Sequence, residues 1–253
     1  MAPKPPTLGA PRRSRGAPRV CAMSHYALTL YQDRLAPATS VAIPGVPRVI
    51  YVVDGGAEVT CDTVRTKVES GVAWHGTTAC AVVAGPRGAR MLRFELRAGA
   101  SAPAGGDVLL DHPIALDPGQ PYLMRCDRVD FAPGGEALPH GHRGGGIRVL
   151  LEGELEVRVG GHPGRLVKPG QAWFESGAEP VHAIASREVA TSFIRVSILP
   201  REIQGKTSIV YVDPAHASVK PRRYTVFVDQ PIDLHGGPLR LPPYPPGARR
   251  SNP

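Results

Sequence analysis

The chain has 253 residues, 42% of them hydrophobic, and carries 29 Gly and 28 Pro. That length holds one large domain or two of about 100–120 residues, and the Gly/Pro load favours short strands joined by turns over long helices. The formal charge of +8 is confined to the ends. Five basic residues and no acid lie in 1–22, and three basic residues and no acid lie in 236–253. What remains is 22 Lys and Arg against 22 Asp and Glu. A neutral body with basic ends gives no reason to expect a specific nucleic-acid partner. No run of about 18 apolar residues marks a membrane span, and the N-terminus has no apolar stretch of the secretory kind. A cytoplasmic location is the default expectation.

Residues 1–23 are Pro/Gly/Arg-rich and are expected to be a disordered basic tail. Strand-like sequence starts only after Met23, which makes Met23 a candidate natural start. The first apolar alternation is at 26–31. Next come VIYVVDGGAEV at 49–59, GVAW at 71–74 and MLRF at 91–94. In the later part strands are expected at 125–131, 147–151, 155–159, 172–175, 182–185 and 192–199, with two more in 205–235. The pieces in 205–235 either cross to the earlier half or serve self-association. Residues 236–253 are again expected to be a disordered tail. Cys21, Cys61, Cys80 and Cys126 form no CxxC, and free buried thiols are expected.

The chain is internally duplicated. VIYVVDGGAEV (49–59) matches IRVLLEGELEV (147–157), GVAW (71–74) matches GQAW (170–173), and MLRF (91–94) matches FIRV (193–196). The order and nearly constant spacing imply two copies of one β unit, 24–117 and 118–235. Short strands so evenly spaced imply a sandwich or barrel.

The stretch GGEALPHGHRGGGIRVLLEG (134–153) places His140 and His142 two residues apart ahead of an apolar strand. On a strand, residues i and i+2 face the same way, so both imidazoles point into a barrel together. Imidazole pairs are ligands for Fe, Zn, Cu or Ni. By the same alternation Arg148 points inward, and a buried Arg needs an anion. Two partners are open: a substrate carboxylate, or a protein acid such as Glu175 or Glu136. Because the first copy has Ile50 at the equivalent position, the scaffold is not expected to need a buried charge there. Glu175 follows Trp173 and Phe174 on a strand and is a candidate general base or substitute ligand. Arg93 and Arg195 recur at equivalent positions, which points to scaffold pairing.

The second copy resembles the cupin superfamily. Gly134, His140, His142 and Gly153 fit that family's first motif, with Gly146 where the motif has Glu. Gly170 and His182 fit its second motif with one residue too many between them. WFESGAEPVHA, FIRVSILP and GKTSIVYVDP also resemble segments of two-cupin proteins. The resemblance implies an all-β chain of two double-stranded β-helix (cupin, jelly-roll-like) barrels. The barrel of 24–117 would lack the metal motif. The barrel of 118–235 would hold a divalent metal, most simply Fe(II) with Zn, Mn, Ni or Cu open, through His140, His142 and His182. It further implies a homodimer and a small-molecule substrate. The activity so implied is that of a dioxygenase on a small organic acid, phenol or diketone, with Arg148 and Glu175 as catalytic residues. A non-catalytic ligand-binding or structural cupin and a metal-dependent isomerase or lyase are the alternatives.

Overall fold

A computed structural model describes residues 24–99, 106–219 and 222–234. The expected tails, Cys21 and the candidate start at Met23 lie outside the described residues. No helix among the described residues is long and apolar enough to cross a membrane.

The first half is a single sheet folded over on itself. Its strands are β1 (Ser24–Leu35), β2 (Ser40–Ile43), β3 (Arg48–Cys61), β4 (Val64–Glu69), β5 (Ala73–Gly76), β6 (Cys80–Ala98) and β7 (Asp107–Leu116). They run in the order β4-β3-β6-β1-β7, with β2 beside β6 and β5 beside β3. β3 and β6 have 14 and 19 residues and serve both walls. The β3–β6 register shifts at Val52/Asp54 and at Gly55/Ala57. Gly55 has φ +79°, and a Cβ there would stand 2.1 Å from the Gly88 carbonyl oxygen. Only glycine allows the two backbones to turn the corner so closely.

The second half has two five-stranded sheets. They are built from β8 (Tyr122–Phe131), β9 (Glu136–His142), β10 (Gly146–Glu152), β11 (Leu155–Val159), β12 (Arg165–Val167), β13 (Ala172–Glu175), β14 (Val181–Ala185), β15 (Thr191–Pro200), β16 (Ile209–Tyr211) and β17 (Arg222–Ile232). The orders are β13-β10-β15-β8-β17 and β12-β11-β14-β9-β16. Neither β16 nor β17 pairs with the first half. β16 pairs with β9 and β17 with β8, one on each sheet of the second barrel. Phe227 alone of the β17 rings reaches across, 5.7 Å from Tyr51.

The duplication seen in the sequence holds in the register. Ile50 pairs with Trp74 and Arg93, and Arg148 pairs with Trp173 and Arg195. Alternation along these strands divides most of the core in three. Ile50, Val52, Val59, Val82 and Met91 fill the first barrel, and Val129, Leu150, Leu155, Trp173, Val181 and Phe193 the second. The opposite faces, including Leu28, Tyr51 and Phe94 from one half and Met124, Ile147, Val196 and Val228 from the other, join the barrels back to back. Each such side chain, once buried, contributes about 1.5–3 kcal/mol. Phe174 leaves the barrel interior to Trp173 and stacks on His112 across the junction, ring centres 3.6 Å apart.

One expectation is overturned in the first barrel. Ile50 is apolar, but Arg48, two residues earlier on the same face, is fully buried. Its Nε lies 3.4 Å from Glu95 Oε1, and its Nη1 donates to the Thr78 carbonyl at 2.7 Å. Arg93 also holds Glu95, at 2.7 Å, and Asp33, at 2.7 Å. The scaffold therefore carries buried charge in both barrels.

Candidate functional site

β9, β10 and β13 bring His140, His142, Arg148 and Glu175 together inside the second barrel, all of them buried. The two imidazoles meet edge to face with ring centres 4.9 Å apart. His140 donates from Nδ1 to the Leu138 carbonyl at 2.6 Å, which leaves Nε2 as the lone-pair nitrogen. Glu175 Oε1 accepts from Trp173 Nε1 at 2.8 Å. Glu175 Oε2 lies 2.7 Å from Arg148 Nη2 and 3.4 Å from His142 Nε2. Arg148 also donates to the Gly146 carbonyl at 2.6 Å. Of the two partners left open for Arg148, the structure pairs it with the protein acid Glu175. Glu136 goes to His182 instead.

Electrostatics keep this group in one protonation state. Burial pushes His140 down to about 4, against a smaller opposing pull from its bond to Leu138. Burial pushes His142 down to about 3, with Arg195 and Arg148 adding to the shift. Both are neutral near pH 7. Burial alone would raise Glu175, but Arg148, His142 and Trp173 together hold it well below the usual carboxylate range. Burial brings Arg148 down to about 10, Glu175 opposing it, so the guanidinium stays charged.

His182 does not join the group. Val181, Ala183 and Ala185 face the barrel core, so His182 faces out, where its Nε2 meets Glu136. The reason is the extra residue between Gly170 and His182. On a strand a slip of one residue turns a side chain to the other face. Counting the cupin spacing from Gly170 lands on Val181, which sits inside the barrel directly across from His140.

The glutamate missing at 146 has no room either. Gly146 lies between Glu175 and Ser197 on the neighbouring strands. A Cβ there would stand 2.3 Å from the Val196 carbonyl oxygen. Among the described residues no three His, Cys, Asp or Glu side chains gather at one point suited to a metal ion. Glu175, the nearest replacement ligand, is already committed to Arg148 and Trp173. A divalent ion taking it would stand within roughly 5 Å of the guanidinium, where a double charge against a single one is repelled by about 7 kcal/mol at an effective dielectric of about 20. The expected three-histidine metal centre is therefore not formed, and the residues present do not fit the ion that the fold family implies.

The free volume inside this group is about 20 Å³, room for about one water molecule. A larger cavity of about 370 Å³ opens at the barrel mouth. Arg125, Asp127, Arg195, the loop 205–209, Tyr224, Val226 and Asp229 line it. Arg195 and Tyr224 form walls of both cavities. Arg195 binds Asp127 through two bonds of 2.9 and 2.7 Å, and Arg125 binds Asp229 at 2.8 Å. Among the described residues Lys206 Nζ donates to the Glu202 carbonyl alone, at 3.2 Å. Arg222 donates to the Tyr224 hydroxyl and, at 3.3 Å, to the Tyr211 hydroxyl, spanning the gap between β16 and β17 above His140. Sequence reasoning missed Lys206, Tyr211 and Tyr224. Each lies in a segment legible as strand or turn, but nothing local to it says that the segment borders the barrel mouth.

No family model matches the chain, and no curated relative does. Solved structures do. An oxalate decarboxylase variant from Bacillus subtilis superposes with a TM-score of 0.57 at 11% identity, over 79% of this chain and 74% of its own. AerE from Microcystis aeruginosa superposes with a TM-score of 0.52 at 15% identity, over 69% of this chain and 93% of its own. A cupin 2 conserved barrel domain protein from Leptotrichia buccalis aligns with a TM-score of 0.44 at 14% identity, over 69% of this chain and 84% of its own. The chain has the bicupin fold. At such identities the likeness is one of fold. The chemistry of this chain has to be read from its own second barrel.

Proposed function

We propose that this bicupin binds a small organic anion, a carboxylate or phenolate, at the mouth of its second barrel. The observation that carries the reading is the cavity of about 370 Å³ over Arg195 and Tyr224. It falls in the usual range for small-molecule sites, about 300–1,000 Å³. Its walls combine the apolar faces of Tyr224, Val226 and Ile209 with the cations Arg125, Arg195 and Lys206 against the acids Asp127 and Asp229. The two arginines are already paired, and Lys206 is the cation left for a ligand. An anion with a flat apolar body suits that combination. Oxalate decarboxylase, a structural neighbour, is named for an acid of this class.

This is the ligand-binding alternative of the sequence reading. An Fe(II) dioxygenase, or a metal-dependent isomerase or lyase, would need a third protein ligand beside His140 and His142, and among the described residues the barrel has none to spare. Calorimetric titration with a panel of small carboxylates and phenols tests the proposal. At least one compound should bind, and Lys206→Ala should weaken it about tenfold, roughly 1.4 kcal/mol. Binding by none of the panel, or binding indifferent to both Lys206→Ala and Tyr224→Ala, would overturn it.

A further inference from the structure

We infer that the guanidinium of Arg148 stands in the second barrel where a cupin's divalent ion would, and that the barrel is built to hold no metal. Four observations carry this. The position for the motif glutamate is Gly146, with a Cβ excluded at 2.3 Å from the Val196 carbonyl oxygen. The position for the third imidazole is Val181, facing His140. Among the described residues the one carboxylate in reach, Glu175, has Oε2 2.7 Å from Arg148 and accepts at Oε1 from Trp173 at 2.8 Å. The space left over suits about one water molecule.

A further observation comes from the other barrel. There Arg48 stands at the position equivalent to Gly146, fully buried, with Glu95 beside it on the next strand. Each barrel thus holds a set of two buried arginines and two buried carboxylates: Arg48 and Arg93 with Glu95 and Asp33, and Arg148 and Arg195 with Glu175 and Asp127. The positive charge that a metal would bring is supplied twice over by the chain itself, and each set is formally neutral. His140 and His142 then act as uncharged polar groups beside the pair. His142 Nε2 faces the Glu175 carboxylate and so carries the proton of the neutral ring on that side, its lone pair being on Nδ1.

Metal content after loading decides the matter, independently of whether any anion binds at the mouth. Purified protein is incubated with Co(II), desalted and measured by elemental analysis and by the visible absorption of coordinated cobalt. The wild type should retain no more than the His140→Ala/His142→Ala double variant. Val181→His, with Arg148 kept, should also retain none. Val181→His combined with Arg148→Met should take up stoichiometric cobalt with a ligand-field spectrum. Stoichiometric cobalt in the wild type, lost in the double-histidine variant, would overturn the inference. So would equal uptake by Val181→His with and without Arg148, which would mean that the guanidinium does not keep the ion out. The first of these readings does not depend on any engineered variant accepting the loss of a buried charge. An anion-binding mouth over a metal-loaded barrel would sink this inference and leave the proposed function standing.

Discussion

In the first barrel Gly76, Arg48 and Glu95 stand side by side on β5, β3 and β6. In the second, Glu175, Gly146 and Ser197 take the same three places on β13, β10 and β15. One row further in, Trp74, Ile50 and Arg93 answer to Trp173, Arg148 and Arg195. Between the barrels the arginine moves one row along its strand, from Arg48 to Arg148, and the glutamate moves within its row, from Glu95 on β6 to Glu175 on β13, while the number of buried charges stays the same. Buried charge is thus a property of this scaffold and does not by itself mark a site. What only the second barrel has is the histidine pair and a mouth cavity bordered by β17 and the loop 205–209.

The largest difference between the barrels should appear when each arginine is removed. Among the described residues Glu175 has Arg148 as its one cationic partner within ion-pair distance, whereas Glu95 keeps Arg93 when Arg48 is lost. Leaving a buried charge without its partner costs about 3–5 kcal/mol. Arg148→Met should cost that much in urea unfolding and Arg48→Met clearly less. Adding Glu175→Gln to Arg148→Met should restore most of the loss. Equal costs for the two single variants would break the comparison.

Acid should separate the barrels next. His140 and His142 in the second and His75 in the first are held at about 4, 3 and 4, burial being the main cause in each. These folded-state values lie below the unfolded value of about 6.5, so the unfolded chain takes up protons first as pH falls. The stability is complete above about pH 6.5 and is lost toward pH 4 and 3. Between pH 6.5 and 5 each histidine should cost up to about 2 kcal/mol. Unfolding at pH 7 and pH 5 should therefore show about two thirds of the acid loss removed by His140→Gln/His142→Gln and one third by His75→Gln. A loss unaffected by the histidine variants would place the acid sensitivity elsewhere.

The smallest contrast concerns the paired tryptophans. Trp173 donates to a buried carboxylate, a bond worth about 1.5–3 kcal/mol. Gly76 occupies the position that matches Glu175, so Trp74 has no such acceptor there. Trp173→Phe should lower stability by that amount and Trp74→Phe by less than about 1 kcal/mol. A larger loss from Trp74→Phe would mean that the equivalence of the two barrels does not extend to these side chains.

Much of this was legible in the chain order. Apolar alternation located β8, β10, β11, β13, β14 and β15 to within about three residues at their ends, and the three repeated segments announced two copies of one unit. The HxH spacing placed His140 and His142 on one face of one strand, and the same alternation sent Arg148 inward. These are readings of residues close in sequence, where period-2 geometry alone decides the direction. His182 was misjudged for the same reason. Its spacing from Gly170 was one too long, and one residue is enough to send a strand side chain out of the barrel.

Local pattern decided the strands, the duplication and the inward face of β10. Tertiary structure decided what stands opposite that face. The pairing of Arg148 with Glu175, 27 residues on, depends on β13 aligning Glu175 with Gly146. The presence of Val181 across from His140, and the mouth formed by the loop 205–209 and β17 over Arg195, depend on strand register in the same way. A strand's own residues specify which way each side chain points, but its neighbours in the sheet are chosen by the packing of the whole barrel. Here that packing filled a place open to a cation with an arginine.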